Sequence, residues 1–331
     1  MEKWDRRRFV KIAGSALGMA LFGSTLLYAE SYLQSFFRKR GKAVPEVTPN
    51  EDFYVQSYNG HPDVDVKSWR LSIDGKVNSP YSITYDQLLA MPSKKEYVTL
   101  ICIGNGVGGD AVGNALWTGV PLNELLEKAG VKEGVKKVVF HADDGYTDSV
   151  TLDAAMRPFN MLAYRMNDKP LPKEHGYPAR ILVPGIYGMK NAKWVRRIEL
   201  VDYDFKGYWE KKGWSDTAYI KTTSKFHEPM DGDTVKGGML LQGMAFASIR
   251  GISSVELSLD KGKTWVEAKL KKPLSPYAWT FWEYDWKPEK TGKYDLTVRV
   301  TDGEGSLQDN KETGVFPDGP TGWHTITVKI K

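Results

Sequence analysis

The chain has little of what redox and metal proteins commonly use. Of its 331 residues one is a cysteine, Cys102, and five are histidines. A lone thiol excludes an internal disulfide, a Cys-x-x-Cys-His haem attachment and any iron–sulfur cluster spacing. No His/Cys/Asp spacing fits a zinc site. A Gly-x-Ser-x-Gly elbow is missing, and so is a dinucleotide fingerprint after a strand. There are no internal repeats and no low-complexity segments.

Charge is scarce in the body. The formal net charge is +5, but residues 1–42 hold nine Lys/Arg against three Asp/Glu, a +6 segment that leaves the body at −1. That balance argues against nucleic-acid binding. The basic end reads as an address. Asp5-Arg6-Arg7-Arg8-Phe9-Val10-Lys11 resembles a twin-arginine export signal, and an apolar run follows from Ile12 to Ala29. The expected location is the periplasm or the outer face of the cytoplasmic membrane. Leu27-Tyr28-Ala29 makes a poor cleavage site, and this run as a helix would span about 27 Å. An uncleaved membrane anchor is therefore the alternative. Residues 30–50 read as a basic, Pro-containing linker.

The body has enough apolar residues, 41% of the chain, for a sizeable core, and its length suggests two domains. Trp69 to Ile73 alternates as a strand ending at Asp74-Gly75. Tyr85 to Met91 predicts a short helix with Leu88 and Leu89 on its buried side. Tyr97 to Cys102 predicts a strand that carries the thiol to its end. Leu122 to Ala129 predicts a helix stopped by Gly130. Lys136 to His141 and Arg180 to Val183 predict two more strands. This interleaving indicates an α+β (mixed α/β) domain over residues 43–222. After about residue 225 the texture is all β. Val255, Leu257 and Leu259 alternate, as do Tyr294 to Val300 and Ile326 to Ile330. Residues 223–331 therefore predict an immunoglobulin-like sandwich.

Three segments could carry chemistry. In Cys102-Ile103-Gly104-Asn105-Gly106-Val107-Gly108-Gly109 a thiol sits at a strand end before a Gly-rich loop. Its backbone N–H groups could approach an anion, and its thiolate could hold a metal. His175-Gly176-Tyr177-Pro178-Ala179-Arg180 and Gly188-Met189-Lys190-Asn191-Ala192-Lys193-Trp194 offer donors suited to a phosphate and a polar heterocycle. Bland readings stand beside these: an inert buried cysteine, a turn-capping histidine.

Together with Phe53-Tyr54-Val55, Leu116-Trp117-Thr118-Gly119-Val120-Pro121, Leu162-Ala163-Tyr164-Arg165 and Gly207-Tyr208-Trp209, these segments resemble the sulfite oxidase family. Arg250-Gly251-Ile252, Ser258-Leu259-Asp260 and Thr321-Gly322-Trp323-His324 resemble that family's dimerisation domain. The resemblance implies one molybdenum–molybdopterin per chain, with Cys102 as the protein ligand to the metal. It implies that Tyr54, Val55, Gln56, Ser57 and Tyr58 line the pterin, and that Asp144, His175 and Arg180 contact it. Asn191, Ala192 and Lys193 correspond to the strip that binds its phosphate end. Gln56, Trp214 and Arg250 fall at substrate positions. Members that oxidise sulfite carry arginines where this chain has Gln56 and Gly106, and a tyrosine where it has Trp214. Each lost charge-assisted hydrogen bond would cost roughly 1.5–3 kcal/mol if not replaced.

The implied activity is two-electron oxygen-atom transfer on a small oxyanion or sulfur-oxo substrate, with sulfite oxidation to sulfate first. Electrons would pass to an external cytochrome or membrane haem subunit, since the chain offers no haem or iron–sulfur ligands. A homodimer is expected. The alternatives are a sulfoxide or other oxo-compound reductase of the same family, and a cofactor-free binding module.

Overall fold

The computed structural model describes residues 44–331. The export-signal and anchor readings fall outside the described residues.

Four sheets make up the body. The first runs in the order Tyr81–Thr84, Arg70–Gly75, Val195–Val201, Lys137–Ala142, Thr147–Thr151. The second is built on Lys94–Ile101, Val112–Pro121 and Met161–Met166, and the short strand Arg180–Leu182 also pairs with Met161–Met166. Two further sheets follow from Thr223 onward. One holds Thr223–Glu228, Met239–Phe246 and Thr280–Trp286; the other holds Ile252–Ser258, Gly292–Asp302 and His324–Ile330. Side chains of both meet in one apolar core that includes Phe226, Trp282, Val298 and Val328, so they form a two-sheet sandwich.

Helix is sparse. Tyr85–Ala90, Leu122–Ala129 and Leu152–Ala155 are the α-helices among the described residues, and none exceeds eight residues. The first half is thus more β than the interleaved pattern suggests. Tyr85–Ala90 starts on a reciprocal cap: Thr84 Oγ1 accepts from the Gln87 N–H (3.1 Å), and Gln87 Oε1 accepts from the Thr84 N–H (2.8 Å). Leu88 is fully buried, whereas Leu89 is 39% exposed, which corrects the expectation that both face inward. Consecutive helical residues point about 100° apart, so Leu89 turns away from the face that buries Leu88. Leu122–Ala129 ends at Gly130 in a left-handed conformation, as its sequence predicts.

Strand Lys94–Ile101 lies at a sheet edge and ends one residue before Cys102. The C-terminal half covers that edge. The Thr99 N–H donates to the Tyr277 carbonyl (3.0 Å), and the Trp279 N–H donates to Thr99 Oγ1 (2.9 Å). The same half grips the loop after Cys102. Lys225 Nζ donates to the Gly109 carbonyl (2.8 Å) and pairs with Asp110. Gly108 has φ +72°, and a Cβ there would lie 2.4 Å from the His324 ring. Left-handed backbone and contact with the sandwich both demand glycine.

Gly108→Ala should lower stability by about 1–3 kcal/mol in thermal or denaturant unfolding. His324→Ala removes the obstructing ring, so the double variant should recover part of the loss. A strictly additive double variant would show that backbone strain alone sets the cost.

Candidate functional site

A cleft of about 860 Å³, counted out to its open mouth, lies where the thiol loop, the segment after Phe53 and the strip 188–194 meet. Cys102, His175, Arg180 and Lys193 all line it. The thiol is thus partly exposed at a cavity and not sealed in hydrocarbon. Hydrogen bonds within the loop fix its position. The Cys102 N–H donates to the Ala111 carbonyl (3.0 Å), the Asn105 N–H to the Cys102 carbonyl (3.0 Å), and the Ala111 N–H to Asn105 Oδ1 (2.8 Å). Burial pushes the thiol's pKa up, and the Gly104 N–H opposes it. Burial, with the Cys102 thiolate second, also raises the neighbouring Tyr54 phenol.

Two cations share this cleft. Arg180 donates to the His175 carbonyl (3.2 Å) and the Asn191 carbonyl (3.3 Å), and its guanidinium lies 5.1 Å from the Trp117 ring centre. Its Nε is buried with no hydrogen-bond partner. Burial lowers its pKa to about 10. Lys193 donates to Ser57 Oγ (3.2 Å) and the Glu174 carbonyl (2.8 Å). Burial first, and then the Arg180 charge, lower its pKa to about 7 against the pull of Asp144 and Glu174.

The backbone is shaped to bring these cations together. Gly176 has φ +110°, and a Cβ there would stand 3.0 Å from Lys193 Cβ and 3.1 Å from Arg180 Cβ. Trp194 holds φ +52°, a conformation that costs on the order of 1–3 kcal/mol. Its indole N–H donates to the Lys173 carbonyl (2.8 Å), and its ring lies 4.3 Å from Lys193 Nζ. His175 Nε2 meets the Asn50 carbonyl at 2.9 Å and must be the protonated nitrogen. Burial lowers its pKa to about 4, with Arg180 and Lys193 adding to the effect.

Most of the residues predicted from sequence converge here. Tyr54, Gln56, Ser57, Tyr58, Asp144, Asn191, Ala192 and Trp214 line the cleft with the four named above. Val55 and Arg250 do not. Arg250 is held elsewhere, by Asp302 Oδ2 (2.9 Å), Thr222 Oγ1 (3.0 Å) and the Ile220 carbonyl (3.2 Å). Tyr187 stands between, feeling the charges of both Cys102 and Arg250, with its phenol raised to about 12 chiefly by burial. The Asn191 side chain is spent on the backbone: it accepts from the Val183 N–H (2.7 Å) and donates to the Tyr187 (3.1 Å) and Ile186 (3.3 Å) carbonyls. It shapes the strip and leaves no side-chain donor for a ligand. Phe53, Tyr146, Met189 and Trp209 also line the cleft and were not predicted as site residues. Phe53, Met189 and Trp209 lie inside the motif segments and Tyr146 two residues after Asp144, so proximity to predicted residues was the available signal.

The donor set fits an anionic organic group with a metal end. Two desolvated cations, one with an unpartnered N–H, face a cleft whose lining carboxylate, Asp144, has its own pKa raised by burial. A thiol, a group able to ligate a metal, lines the same cleft. Among the described residues no cluster of three His/Cys/Asp/Glu could bind a metal unaided.

Comparison with known proteins gives the same picture. A family described as "Oxidoreductase molybdopterin binding domain" matches residues 58–209, and one described as "Mo-co oxidoreductase dimerisation domain" matches residues 216–330. Sulfite oxidase of Gallus gallus is 30% identical, with 79% of this chain and 68% of that protein covered. Mitochondrial sulfite oxidase of Homo sapiens is 30% identical over 86% of this chain and 62% of the human protein. The chain spans 59% of the length of the Drosophila melanogaster mitochondrial enzyme. Among solved structures, the sulfane dehydrogenase SoxCD from Paracoccus pantotrophus superposes with a TM-score of 0.75 at 24% identity, covering 93% of this chain and 91% of that one.

The depressed pKa values predict how stability varies with pH in protein prepared without cofactor. His175 binds its proton less tightly folded than unfolded, so stability should rise between about pH 4 and 6.5. Lys193 does the same between about pH 7 and 10.5. Lys193→Met should flatten the upper limb in thermal unfolding and narrow the lower one without removing it, since burial and Arg180 still depress His175. Identical upper limbs in the two proteins would refute the assignment.

Proposed function

The chain belongs to the sulfite oxidase family of molybdopterin-dependent oxidoreductases, and we propose that it performs two-electron oxygen-atom transfer, with sulfite oxidation to sulfate as the reaction. The observation that carries this reading is the thiol of Cys102 opening on the cleft that holds Arg180 and Lys193. In this reading Cys102 ligates the metal. Arg180 and Lys193 neutralise the anionic end of the pterin, and Asp144 and His175 contact its ring system. When bound, the group supplies a two-electron couple and the oxygen-transfer chemistry. The protein orients that group, desolvates the cleft and fixes the thiol through the loop hydrogen bonds.

We further propose the organisation read from the sequence: a catalytic domain over residues 43–222 and an immunoglobulin-like domain over 223–331 that dimerises the protein. Export by the twin-arginine route would place it in the periplasm or on the outer face of the cytoplasmic membrane. Electrons would leave singly to an external cytochrome or membrane haem subunit.

Three observations favour a second reading, reduction of a sulfoxide or similar neutral oxo compound. Gln56 stands where sulfite-oxidising relatives carry an arginine, Arg250 is bound to Asp302 and does not line the cleft, and Tyr58, Trp209 and Trp214 supply aromatic wall. Purified protein should reduce ferricyanide with sulfite. Consumption of reduced viologen with methionine sulfoxide, and no activity with sulfite, would replace the first reading by the second.

Cys102→Ser should lose turnover by several orders of magnitude and keep its fold by circular dichroism. An active Cys102→Ser protein would remove the thiol from the mechanism. Elemental analysis should find about one molybdenum per wild-type chain. A value near zero from a host able to make the cofactor would favour a cofactor-free binding module.

A further inference from the structure

The aromatic wall of the cleft does not stop at its rim. Tyr58, Trp209 and Trp214 line the cleft. Their rings run on from one another: Tyr58 meets Tyr208 at 4.4 Å between centres, Tyr208 meets Trp209 at 4.9 Å, and Trp209 meets Trp214 at 6.1 Å. Trp214 then meets Phe316 at 5.2 Å, with the two ring planes 83° apart. Phe316 comes from the second half of the chain and stands one ring outside the cleft lining. It is 57% exposed, the most exposed large apolar side chain among the described residues.

A lone apolar side chain on a protein surface needs no explanation. This one is held in place. Residues 311–321 form a loop closed at its base, where the Thr313 N–H donates to the Thr321 carbonyl (3.1 Å) and the Thr321 N–H donates to Thr313 Oγ1 (2.9 Å). Within the loop the Gly319 N–H donates to the Val315 carbonyl (2.8 Å). Two bonds tie its far end to the segment after Trp214: the Ser215 N–H donates to the Pro317 carbonyl (3.1 Å), and Lys221 Nζ donates to the Gly319 carbonyl (3.0 Å). The Phe316 ring rests on Gly213, where a Cβ would stand 3.2 Å from Phe316 Cζ. At the base of the loop a Cβ on Gly322 would lie 3.4 Å from Val107 Cγ2. The loop therefore reaches from the segment after Cys102 to Trp214, and it sets an apolar ring in water beside the cleft.

We propose that Phe316 and Trp214 form an apolar lip of the cleft that holds a carbon substituent on the substrate sulfur, so that Phe316 sets specificity for organic sulfur-oxo compounds over the bare oxyanion. The proposal rests on the oxygen-transfer reading and selects within it a neutral sulfoxide that carries an aryl or long alkyl group. An apolar group laid against the exposed ring removes both surfaces from water, and two rings at right angles offer a face and an edge to a third. Sulfite has no apolar surface to bury there. Reduction of such a sulfoxide breaks its S–O bond, takes up two protons and two electrons, and releases the sulfide and water. The electrons come from an external one-electron donor, reduced viologen in the test.

The test uses the full, cofactor-loaded protein. Binding is read without turnover, by calorimetric titration with methyl phenyl sulfone and dimethyl sulfone as unreactive analogues. The wild type should bind the phenyl compound about tenfold more tightly. Phe316→Ala should erase most of that preference, chiefly by weakening the phenyl compound, and Phe316→Leu should keep part of it. With reduced viologen the same pattern should appear in KM for methyl phenyl sulfoxide against dimethyl sulfoxide, with kcat little changed. Equal binding of the two sulfones by the wild type, or a preference that survives Phe316→Ala, would overturn the lip. So would a Phe316→Ala protein that sediments as a smaller assembly than the wild type, since the ring would then belong to an interface between copies. A wild type that shows the binding preference and turns over neither sulfoxide supports the lip and counts against sulfoxide reduction. One that reduces both sulfoxides with equal KM supports the reduction and overturns the lip.

Discussion

Two desolvated cations facing one cleft constrain everything around them. Removing Arg180 and Lys193 from water costs several kcal/mol each unless an anion replaces the lost solvation. Arg180 also lowers the affinity of Lys193 for protons, and both lower that of His175. The chain nevertheless holds them together at a glycine that leaves room for both, against a tryptophan in a left-handed conformation and across the face of Trp117. Strain of this kind persists where a ligand balances it. An anion that reaches from the Arg180 Nε toward Lys193 would remove the repulsion and satisfy the unpartnered donor at once.

The second half of the chain belongs to this arrangement. Lys225 and His324 come from the sandwich, and both press on the loop that follows Cys102. Residues 277–279 hydrogen-bond along the exposed edge of the strand that ends at the thiol. A sheet edge without such cover pairs with other chains. The thiol therefore stands between a strand locked from outside and a loop gripped by the sandwich, so its place does not depend on loop rigidity alone. A ligand atom that must stay fixed through repeated redox cycles gains from support on both sides.

The sequence made some of this legible. The strand read over Tyr97 to Cys102, observed as Lys94–Ile101, put the thiol at its end, and Gly130 marked the end of Leu122–Ala129, because local patterns decide both. The clustering of Cys102, Tyr54, His175, Arg180 and Lys193 followed from the family resemblance and not from spacing. What stayed hidden depends on non-local partners. Nothing near Asn191 announces that its amide is consumed by Val183, Ile186 and Tyr187. Arg250 looks available until Asp302, fifty-two positions later, occupies it. Leu89 matches Leu88 in type, and only the one-sided packing of a six-residue helix separates them. Lys190 sits in a strip expected to bind phosphate, yet it points into a buried set of carboxylates.

The same partners bear on substrate charge. Arg180 and Lys193 are the cations that a pterin phosphate would claim, so they are not free to capture a second anion. Arg250 could move toward the cleft only by leaving a carboxylate that is 2% exposed, which would strand a buried charge. What remains on the cleft wall includes the Gln56 amide and aromatic rings. A neutral donor contributes roughly 0.5–1.5 kcal/mol per hydrogen bond, against 1.5–3 for a charged one. Anionic sulfite thus has less to gain in this cleft than in one lined by two further arginines, while a neutral sulfur-oxo compound loses nothing by their absence. The choice between the two substrates turns on how firmly Asp302 keeps Arg250.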